Sequence, residues 1–246
     1  MMSASTKLIK SLAPRILFED QNILVLSKPA GLLSQGEKTG EINLVDWLRQ
    51  HFGRNYVGLI HRLDRNTSGL MVIGKRSKAA KRLTEALQEG KLERRYTAIL
   101  IGSLRKEAVW SHYLIKDNDK NIVKASKTFV KNAKQASLTV KPIKIISISG
   151  AVLTVAEFLL ETGRSHQIRV QAAAEGFPLL GDTKYTKEKS EIINKLFQNI
   201  NRPALHSSYL SFPHPICKET MQFSDKLPED MERIISELKS PKNKTF

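Results

Sequence analysis

The alternation of apolar and polar positions along the chain predicts many short strands with helices between some of them. Two apolar runs separated by a polar turn predict paired strands at 16–19 and 23–26, and a Pro-Gly turn follows them at 28–31. Further strands are predicted at 56–60, 70–73, 95–101, 151–160, 205–212 and 220–223, with a meander of short strands between 109 and 148. Helical spacing occurs at 44–52, 77–87, 165–176, 186–202 and 227–238. The sequence therefore predicts an α+β fold with a mixed, largely antiparallel sheet and flanking helices.

Charge and composition narrow the class of protein. The chain has 246 residues and a formal net charge of +16, which favours an anionic partner, either nucleic acid or a membrane surface. Nucleic acid is the better prediction because no basic amphipathic helix with large exposed aromatic residues stands out. No apolar run approaches the roughly 18 residues of a membrane-spanning helix, so we expect no membrane span.

The segment 61–70, HRLDRNTSGL, holds the residues with the most distinctive chemistry. Between 53 and 84 there are eight Lys or Arg residues and a single acid, Asp64, which lies between Arg62 and Arg65. Nearby positive charge favours the ionised form of a carboxylic acid, and an ionised carboxylate among arginines is suited to act as a nucleophile. The same basic surroundings suit a polyanion. A solvated ion pair in an ordinary turn is the structural alternative, and composition alone favours that alternative.

A second polar segment, 162–170, follows the strand at 151–160 and opens a helix for which Ser165 is a suitable N-cap. Arg164 would then lie at the positive end of the helix dipole, where a cation costs roughly 0.3–1 kcal/mol. An anion would compensate this cost, and either a phosphate or Asp64 could supply it. An exposed arginine bonded to a loop carbonyl is an equally good interpretation of the residues alone.

The ten residues HRLDRNTSGL resemble the active-site motif of the RluA-type family of RNA pseudouridine synthases, in which HRLD is followed by two variable residues, TSG and an apolar residue. Further motifs of that family are matched in order by KPAG at 28–31, the basic-residue-Tyr-x-Ala strand around Tyr96, TGRSHQIRV at 162–170, GFPLLGD at 176–182 and FPHP at 212–215. The resemblance runs from about residue 16 to residue 223. It implies the pseudouridine synthase fold with a central basic catalytic cleft.

The resemblance also implies roles for particular residues. Asp64 is the expected catalytic carboxylate, Arg164 is the arginine that pairs with it, and Tyr96 stacks on the target base and is a candidate general base. Gln171 stands where the family usually has histidine, so no role is carried over to it. Contacts to RNA are expected from Lys28, Arg62, Arg65, Thr67, Gln167 and Arg169.

The activity implied by the resemblance is an isomerisation. We expect an enzyme that converts specific uridines in structured ribosomal or transfer RNA to pseudouridine, by breaking the N1–C1′ bond, rotating the base and rejoining it through C5. No redox or phosphoryl step is involved, so no cofactor is expected, and the scattered histidines predict no metal site. A non-catalytic RNA-binding protein on the same scaffold is the main alternative. A nucleoside glycosidase is a weaker one, because such enzymes usually need a second carboxylate nearby.

The expected organisation is a flexible basic leader at 1–14, a single catalytic domain of pseudouridine synthase type at 15–238 and a basic tail at 239–246. Several members of the family carry an N-terminal S4-like RNA-binding domain, for which this leader leaves no room. Cys217 is the only cysteine, which excludes an internal disulfide and fits a reducing compartment. We therefore expect a cytoplasmic protein that is a monomer by default.

Overall fold

The computed structural model describes residues 12–36, 41–117, 119–148, 150–187 and 190–236; most of the predicted leader and the predicted tail lie outside these ranges. The strands are β1 (Arg15–Glu19), β2 (Ile23–Lys28), β3 (Gly58–Leu59), β4 (Ser68–Gly74), β5 (Glu93–Ile101), β6 (Ala108–Asp117), β7 (Ile122–Ser126), β8 (Lys134–Ile148), β9 (Ala151–Leu160), β10 (Leu205–Pro213) and β11 (Thr220–Ser224). The helices are α1 (Leu44–Phe52), α2 (Ser77–Gln88), α3 (Gln167–Ala174), α4 (Glu191–Asn199) and α5 (Glu229–Ser236). These elements confirm the predicted α+β class.

The described chain forms two compact units. Unit 1 runs to Arg95 and takes in Ser207–Asp225, and unit 2 contains Tyr96–His206 and the described residues from Lys226 onward. The boundaries fall inside β5 and β10, so each of these strands contributes residues to both units. The interpretation of 15–238 as a single catalytic domain stays a prediction beside these two units.

The sheet of unit 1 has the strand order β1-β2-β4-β10, with β3 paired to β4 and β11 paired to β10. The pairs β1–β2, β2–β4, β3–β4 and β10–β11 are antiparallel. Every residue of β4 is buried, which explains why its sequence is a continuous apolar run rather than an alternating one. The apolar stripe of α2, formed by Ala79, Ala80 and Leu83, packs in the same core as Val25 and Leu70.

The register of the β2–β4 pair determines which loops of unit 1 share an end of the sheet. Lys28 pairs with Gly69 at one end, and Ile23 pairs with Gly74 at the other. The turn after β2 and the loop 61–67 before β4 therefore lie at the same end. The β1–β2 turn and the start of α2 lie at the opposite end.

The sheet of unit 2 has the strand order β5-β9-β8-β6-β7, and the pairs β8–β9, β6–β8 and β6–β7 are antiparallel. The helices α4 and α5 contribute Ile193, Leu196, Met231 and Ile234 to a core that they share with β5 and β9. A second core joins Val170 of α3 to apolar residues of β6, β7 and β8. This packing explains the apolar spacing of the 186–202 segment, whose helix is the shorter α4.

Most predicted elements are confirmed, and the differences lie at their ends. The helix at 44–52 and the strand at 151–160 have the predicted bounds. The strand predicted at 56–60 is wrong in length, because only Gly58–Leu59 pair with β4. Gly58 passes so close to α2 that a Cβ there would lie 2.5 Å from the Cβ of Ala80, and Tyr56 is exposed. Among the described residues, no helix combines the length and the apolar character that crossing a membrane requires.

Candidate active site

Asp64 lies in unit 1, on the loop that leads from β3 to β4. Its side chain is half-buried, and its carbonyl accepts a hydrogen bond from the backbone N–H of Thr67 at 3.0 Å. This bond closes a tight turn at Arg65 and Asn66, which returns the chain to β4. Asp and Asn are common in such turns, so the same residues that suggest chemistry also explain the local fold.

A buried lysine holds this loop to the turn that follows β2. Lys28 is 0% exposed, and its ammonium donates hydrogen bonds to the carbonyls of Pro29 (2.9 Å), Leu32 (2.7 Å) and Arg65 (3.1 Å). The N–H of Gly31 donates to the same Arg65 carbonyl at 2.9 Å. A buried charge is costly unless it is hydrogen-bonded, so the ammonium and the three carbonyls stabilise one another. This burial argues against the predicted contact between the Lys28 side chain and RNA.

Two further contacts fix the chain on either side of Asp64. The Ser34 hydroxyl donates to the carbonyl of Leu63 at 2.6 Å and accepts from its N–H at 3.2 Å. Gly69 has a φ of +114°, and a Cβ at this position would lie 2.3 Å from the carbonyl oxygen of Ser207. Only glycine combines that backbone conformation with so close an approach of another strand. The glycine of the TSG motif is therefore explained by packing.

His61 is buried at the start of the same loop and is uncharged at neutral pH. Burial, with a smaller contribution from the positive charge of Arg94, lowers the pKa of His61 to about 3. Its Nε2 accepts a hydrogen bond from the N–H of Val72 at 3.3 Å, so the neutral ring carries its proton on Nδ1. A group with this pKa is unsuited to acid–base catalysis near neutrality. The histidine of HRLD is therefore a structural residue.

The two arginines beside Asp64 are exposed and differ in their contacts. Arg62 makes no hydrogen bond or ion pair with any residue that the structure describes. Arg65 pairs with Glu41 at 2.9 Å, and its Nε donates to the carbonyl of Gly31 at 3.2 Å. Contact with RNA stays a prediction for both arginines. It is less well supported for Thr67, which is only 2% exposed.

Tyr96 and Arg164 lie in unit 2, whereas Asp64 lies in unit 1. Tyr96 is part of β5 and is 4% exposed, which fits a packing role as well as a place in the wall of a pocket. Its stacking on a target base therefore stays a prediction, and so does the pairing of Arg164 with Asp64.

Gln167 holds the turn that carries Arg164. Its Oε1 accepts from the hydroxyl of Thr162 (2.8 Å) and from the N–H of Arg164 (2.9 Å), while its Nε2 donates to the carbonyl of Ser137 (3.0 Å). Gln167 is 3% exposed, so its amide fastens the turn to β8 and is poorly placed for the predicted RNA contact. Arg164 itself is exposed, and its Nε donates to the carbonyl of Gln135 at 3.1 Å.

The prediction that Ser165 caps the following helix is wrong. Helix α3 begins at Gln167, and its N-cap is His166, which has a left-handed φ of 53° and makes no capping side-chain bond. The His166 Nδ1 is instead 2.6 Å from the hydroxyl of Tyr185. This contact between ring and hydroxyl explains why the residue adopts a conformation that disfavours most side chains.

Arg169 forms a buried ion pair with a residue that the sequence analysis did not assign. Its Nε and Nη2 donate to the two carboxylate oxygens of Asp182 at 2.7 and 2.8 Å, and its guanidinium lies 5.1 Å from the ring centroid of Tyr185. Arg169 is 9% exposed, which argues against a direct RNA contact. The signal for this pair was a charge inside the apolar run IRV, since a buried charge requires a partner.

Gln171 links two strands at the position where the family usually has histidine. It is 0% exposed, and its Nε2 donates to the carbonyls of Trp110 (2.9 Å) and Ala136 (3.4 Å). The same nitrogen is 3.0 Å from Nδ1 of His112. Burial lowers the pKa of His112, against the opposing negative charge of Glu175. Gln171 is therefore a structural link between β6 and β8.

The predicted site residues fall into two groups. Unit 1 holds Lys28, Arg62, Asp64, Arg65 and Thr67, and unit 2 holds Tyr96, Arg164, Gln167 and Arg169. In each group an exposed arginine stands beside buried polar residues that fix the backbone. Over the described part of the chain, no group of three or more His, Cys, Asp or Glu side chains could hold a metal ion.

These motifs and this fold define a class of enzyme. Residues 22–174, more than half of the chain, match the family model described as RNA pseudouridylate synthase. The chain belongs to this family of RNA pseudouridine synthases, which are isomerases. The resemblance seen in HRLDRNTSGL is thereby confirmed.

Individual relatives agree with this assignment. The chain is 34% identical over 245 residues to ribosomal large subunit pseudouridine synthase D of Buchnera aphidicola, covering 94% of this chain and 75% of that protein. It is 34% identical over 234 residues to the uncharacterized RNA pseudouridine synthase YlyB of Bacillus subtilis, covering 91% of this chain and 72% of that protein. Its fold is similar to that of human RNA pseudouridylate synthase domain containing 4, with a TM-score of 0.74, 22% identity and coverage of 95% and 96% of the two chains. The predicted pseudouridine synthase fold is thus confirmed.

Proposed function

We propose that this enzyme converts uridine to pseudouridine in a folded ribosomal RNA and that Asp64 is its catalytic carboxylate. The names of relatives such as the Buchnera aphidicola synthase support ribosomal RNA as the substrate. A net charge of +16 supports a polyanionic partner of this kind. Transfer RNA remains the alternative substrate of the same chemistry.

The geometry of the Asp64 loop carries the proposal. The carboxylate is half-buried, while the backbone on both sides is fixed by Lys28, Ser34 and Gly69. Catalytic groups are effective when the structure holds them in place before the substrate arrives. An exposed arginine on each side supplies the positive charge that attracts RNA.

The reaction makes modest demands on the protein. The N1–C1′ bond of uridine breaks, a C5–C1′ bond forms, the proton on C5 leaves, and N1 regains a proton. Atoms and electrons balance without a redox partner, so these steps require no redox cofactor. Asp64 acts beside the ribose, where a carboxylate can attack C1′ or C6 or accept a ribose proton.

Two residues of unit 2 complete the proposed machinery. Arg164 is exposed and has a long side chain, so it can orient the carboxylate and favour its ionised form. Tyr96 stacks on the uracil ring and is the candidate general base. Gln167 and Arg169 act by fixing the backbone near these groups rather than by touching RNA.

A uridine in folded RNA must leave its stack before it can react, at a cost of a few kcal/mol. Arg62 lies two positions before Asp64 and has no partner among the described residues, so it is available to hold the extruded nucleotide. Arg65 contributes further positive charge. We also propose that the enzyme is a cytoplasmic monomer with one catalytic domain at 15–238.

The test is the Asp64→Asn variant assayed on large-subunit ribosomal RNA transcribed with C5-tritiated uridine. Pseudouridine formation releases the tritium, so the wild-type protein should release label and the variant should release none. RNA affinity should stay within a factor of about two, because the change removes one half-buried negative charge and leaves the cationic contacts to phosphates in place.

Asp119→Asn is the matched control, since it makes the same change at an exposed aspartate. It should release tritium at the wild-type rate. Tritium release by Asp64→Asn would rule out Asp64 as the catalytic group. If the wild-type protein binds these transcripts and C5-tritiated transfer RNA transcripts but releases tritium from neither, the non-catalytic RNA-binding alternative is the correct one.

A further inference from the structure

Unit 1 contains a second basic site that is separate from the Asp64 loop. It is an open concavity of about 320 Å³ lined by Glu19, Gln21, His51, Phe52, Arg54, Lys75 and Arg76. Three of these side chains are permanently cationic, and only one is acidic. The lining is therefore electropositive.

The single acid of this concavity is already neutralised. The Glu19 carboxylate lies 2.6 Å from Nζ of Lys75 and 2.8 Å from Nε2 of His51. Burial raises the pKa of Glu19, but the hydrogen bonds from Lys75 and His51 lower it more, so it lies below its ordinary value. Glu19 therefore compensates Lys75 and leaves the two arginines without a counter-ion among the residues that the structure describes.

Arg54 and Lys75 lie beside the aromatic ring of Phe52. The guanidinium of Arg54 lies 5.4 Å and the ammonium of Lys75 5.5 Å from the ring centroid of Phe52. Arg54 also donates to the carbonyl of Lys75. The side chain of Arg76 makes no hydrogen bond or ion pair with a described residue. Converging cations with free donors next to an aromatic ring are typical of surfaces that follow a nucleic-acid backbone.

The position of the concavity distinguishes it from the active site. Lys75 and Arg76 follow the end of β4, whereas Asp64 precedes its start. The β2–β4 register places Gly74 beside Ile23 and Gly69 beside Lys28, so the two sites occupy opposite ends of the same strands. A strand of this length spans about 20 Å, which corresponds to about six base pairs along a duplex.

We propose that the concavity formed by Arg54, Lys75 and Arg76 binds backbone phosphates of the RNA substrate at nucleotides remote from the target uridine. The inference rests on the proposed function only in taking RNA as the ligand. Such a contact carries no sequence information, but it fixes the position of the RNA on the protein. A solvated cluster of charges is the alternative, and it predicts no loss of phosphate contacts when the arginines are removed.

The test compares Arg54→Gln/Arg76→Gln with Lys81→Gln/Lys195→Gln, a control that removes two charges from highly exposed lysines elsewhere. Binding of fluorescent uridine oligomers of 4 and 20 nucleotides is measured over a range of salt concentrations. Each lost phosphate contact reduces the slope of log affinity against log salt by about 0.7. The arginine variant should lose about 1.4 in slope for the 20-mer.

For the 4-mer, the arginine variant should keep the wild-type slope, because that ligand is too short to occupy both sites. The control should keep a slope close to that of the wild type for both oligomers. An unchanged slope for the arginine variant, an equal change in the control, or an equal loss for the 4-mer would each overturn the proposal. Arg76→Gln alone, at an exposed side chain that has no partner among the described residues, should lose about 0.7 and guards against misfolding of the double variant.

Tritium release by the wild-type protein distinguishes this inference from the proposed function. If the slope changes as expected while no tritium is released, the phosphate site stands and the catalytic proposal fails. If tritium is released while the slope of the arginine variant is unchanged, the catalytic proposal stands and the phosphate site is wrong.

Discussion

The loop that carries Asp64 and the turn that carries Arg164 are built in different ways. The Asp64 loop is held by a fully buried lysine and by a glycine packed against another strand. The Arg164 turn is held by the buried amide of Gln167, while the guanidinium itself lies at the surface. The first design fixes a short side chain through its backbone, and the second leaves a long side chain able to adjust. Substitutions of Lys28 and Gly69, which hold the loop, should therefore reduce stability, and substitution of Arg164 should reduce activity alone.

The largest expected effect on stability is at Gly69, which helps to hold the Asp64 loop. Gly69→Ala introduces a Cβ 2.3 Å from the Ser207 carbonyl at a φ of +114°, so clash and backbone strain add. We expect a loss of about 4 kcal/mol in the free energy of unfolding, measured by urea denaturation.

Gly90→Ala is its control, because Gly90 also has a positive φ, +71°, but nothing lies within 4 Å of the added methyl group. Strain alone should cost about 1 kcal/mol there. Equal losses for the two variants would mean that the close approach of the Ser207 strand contributes nothing.

Lys28→Met should have the next largest effect. It removes three hydrogen bonds to carbonyls within a buried site, and the expected loss is about 3 kcal/mol in the free energy of unfolding. Tritium release should fall as well, since the carbonyl of Arg65 loses its ammonium partner. A variant of full stability with weakened RNA binding would instead restore the predicted role of Lys28 as an RNA contact.

The pH dependence of unfolding tests how well water is excluded beside the loop. The pKa of His61 is about 3 in the folded protein against an ordinary value of 6.5, so between these values the unfolded state binds more protons. The free energy of unfolding should therefore fall as the pH falls, by about 1.4 kcal/mol per pH unit near pH 5. Above about pH 7.5, where His61 is neutral in both states, this contribution is constant. His61→Gln should lose this part of the slope, and a slope equal to that of the wild type would show that His61 is hydrated.

The smallest effect on stability is expected in the turn that carries Arg164. Arg164 is exposed and its side chain makes one described hydrogen bond, so Arg164→Gln should change the free energy of unfolding by less than about 0.5 kcal/mol. Tritium release should nevertheless fall roughly a hundredfold, because the carboxylate loses its orienting partner. Gln135 supplies only a carbonyl to this arginine, so Gln135→Ala should leave both quantities unchanged. Wild-type turnover by Arg164→Gln would remove Arg164 from the machinery.

The sequence predicted the repeating parts of the fold well. Apolar periodicity placed α1 and β9 at their observed bounds, because regular elements bury one face or both in a regular pattern. It failed where one tertiary contact overrides local preference. Gly58 is pressed against α2, which shortens β3, and His166 bonds Tyr185, which displaces the helix start from Ser165.

The site was predictable in its motifs but not in its burial. A lysine, a glutamine and an arginine all suggest RNA contacts when only their chemistry is known. The structure shows Lys28, Gln167 and Arg169 buried, each bonded to carbonyls or to a carboxylate from elsewhere in the chain. Such partners are distant in sequence, so a single sequence does not reveal which polar residues face inward.

The close contact between Gly69 and Ser207 has a consequence for protein synthesis. The strand β4, which leaves the Asp64 loop, lies between β2 and β10, and β10 is the neighbour that is synthesised later. The Ser207 hydroxyl of β10 donates to the Leu70 carbonyl at 3.2 Å. During translation, Asp64 is synthesised long before β10 emerges from the ribosome. The unfinished polypeptide therefore lacks the packing of Ser207 against Gly69 that helps to fix the Asp64 loop. This contact forms only late in translation.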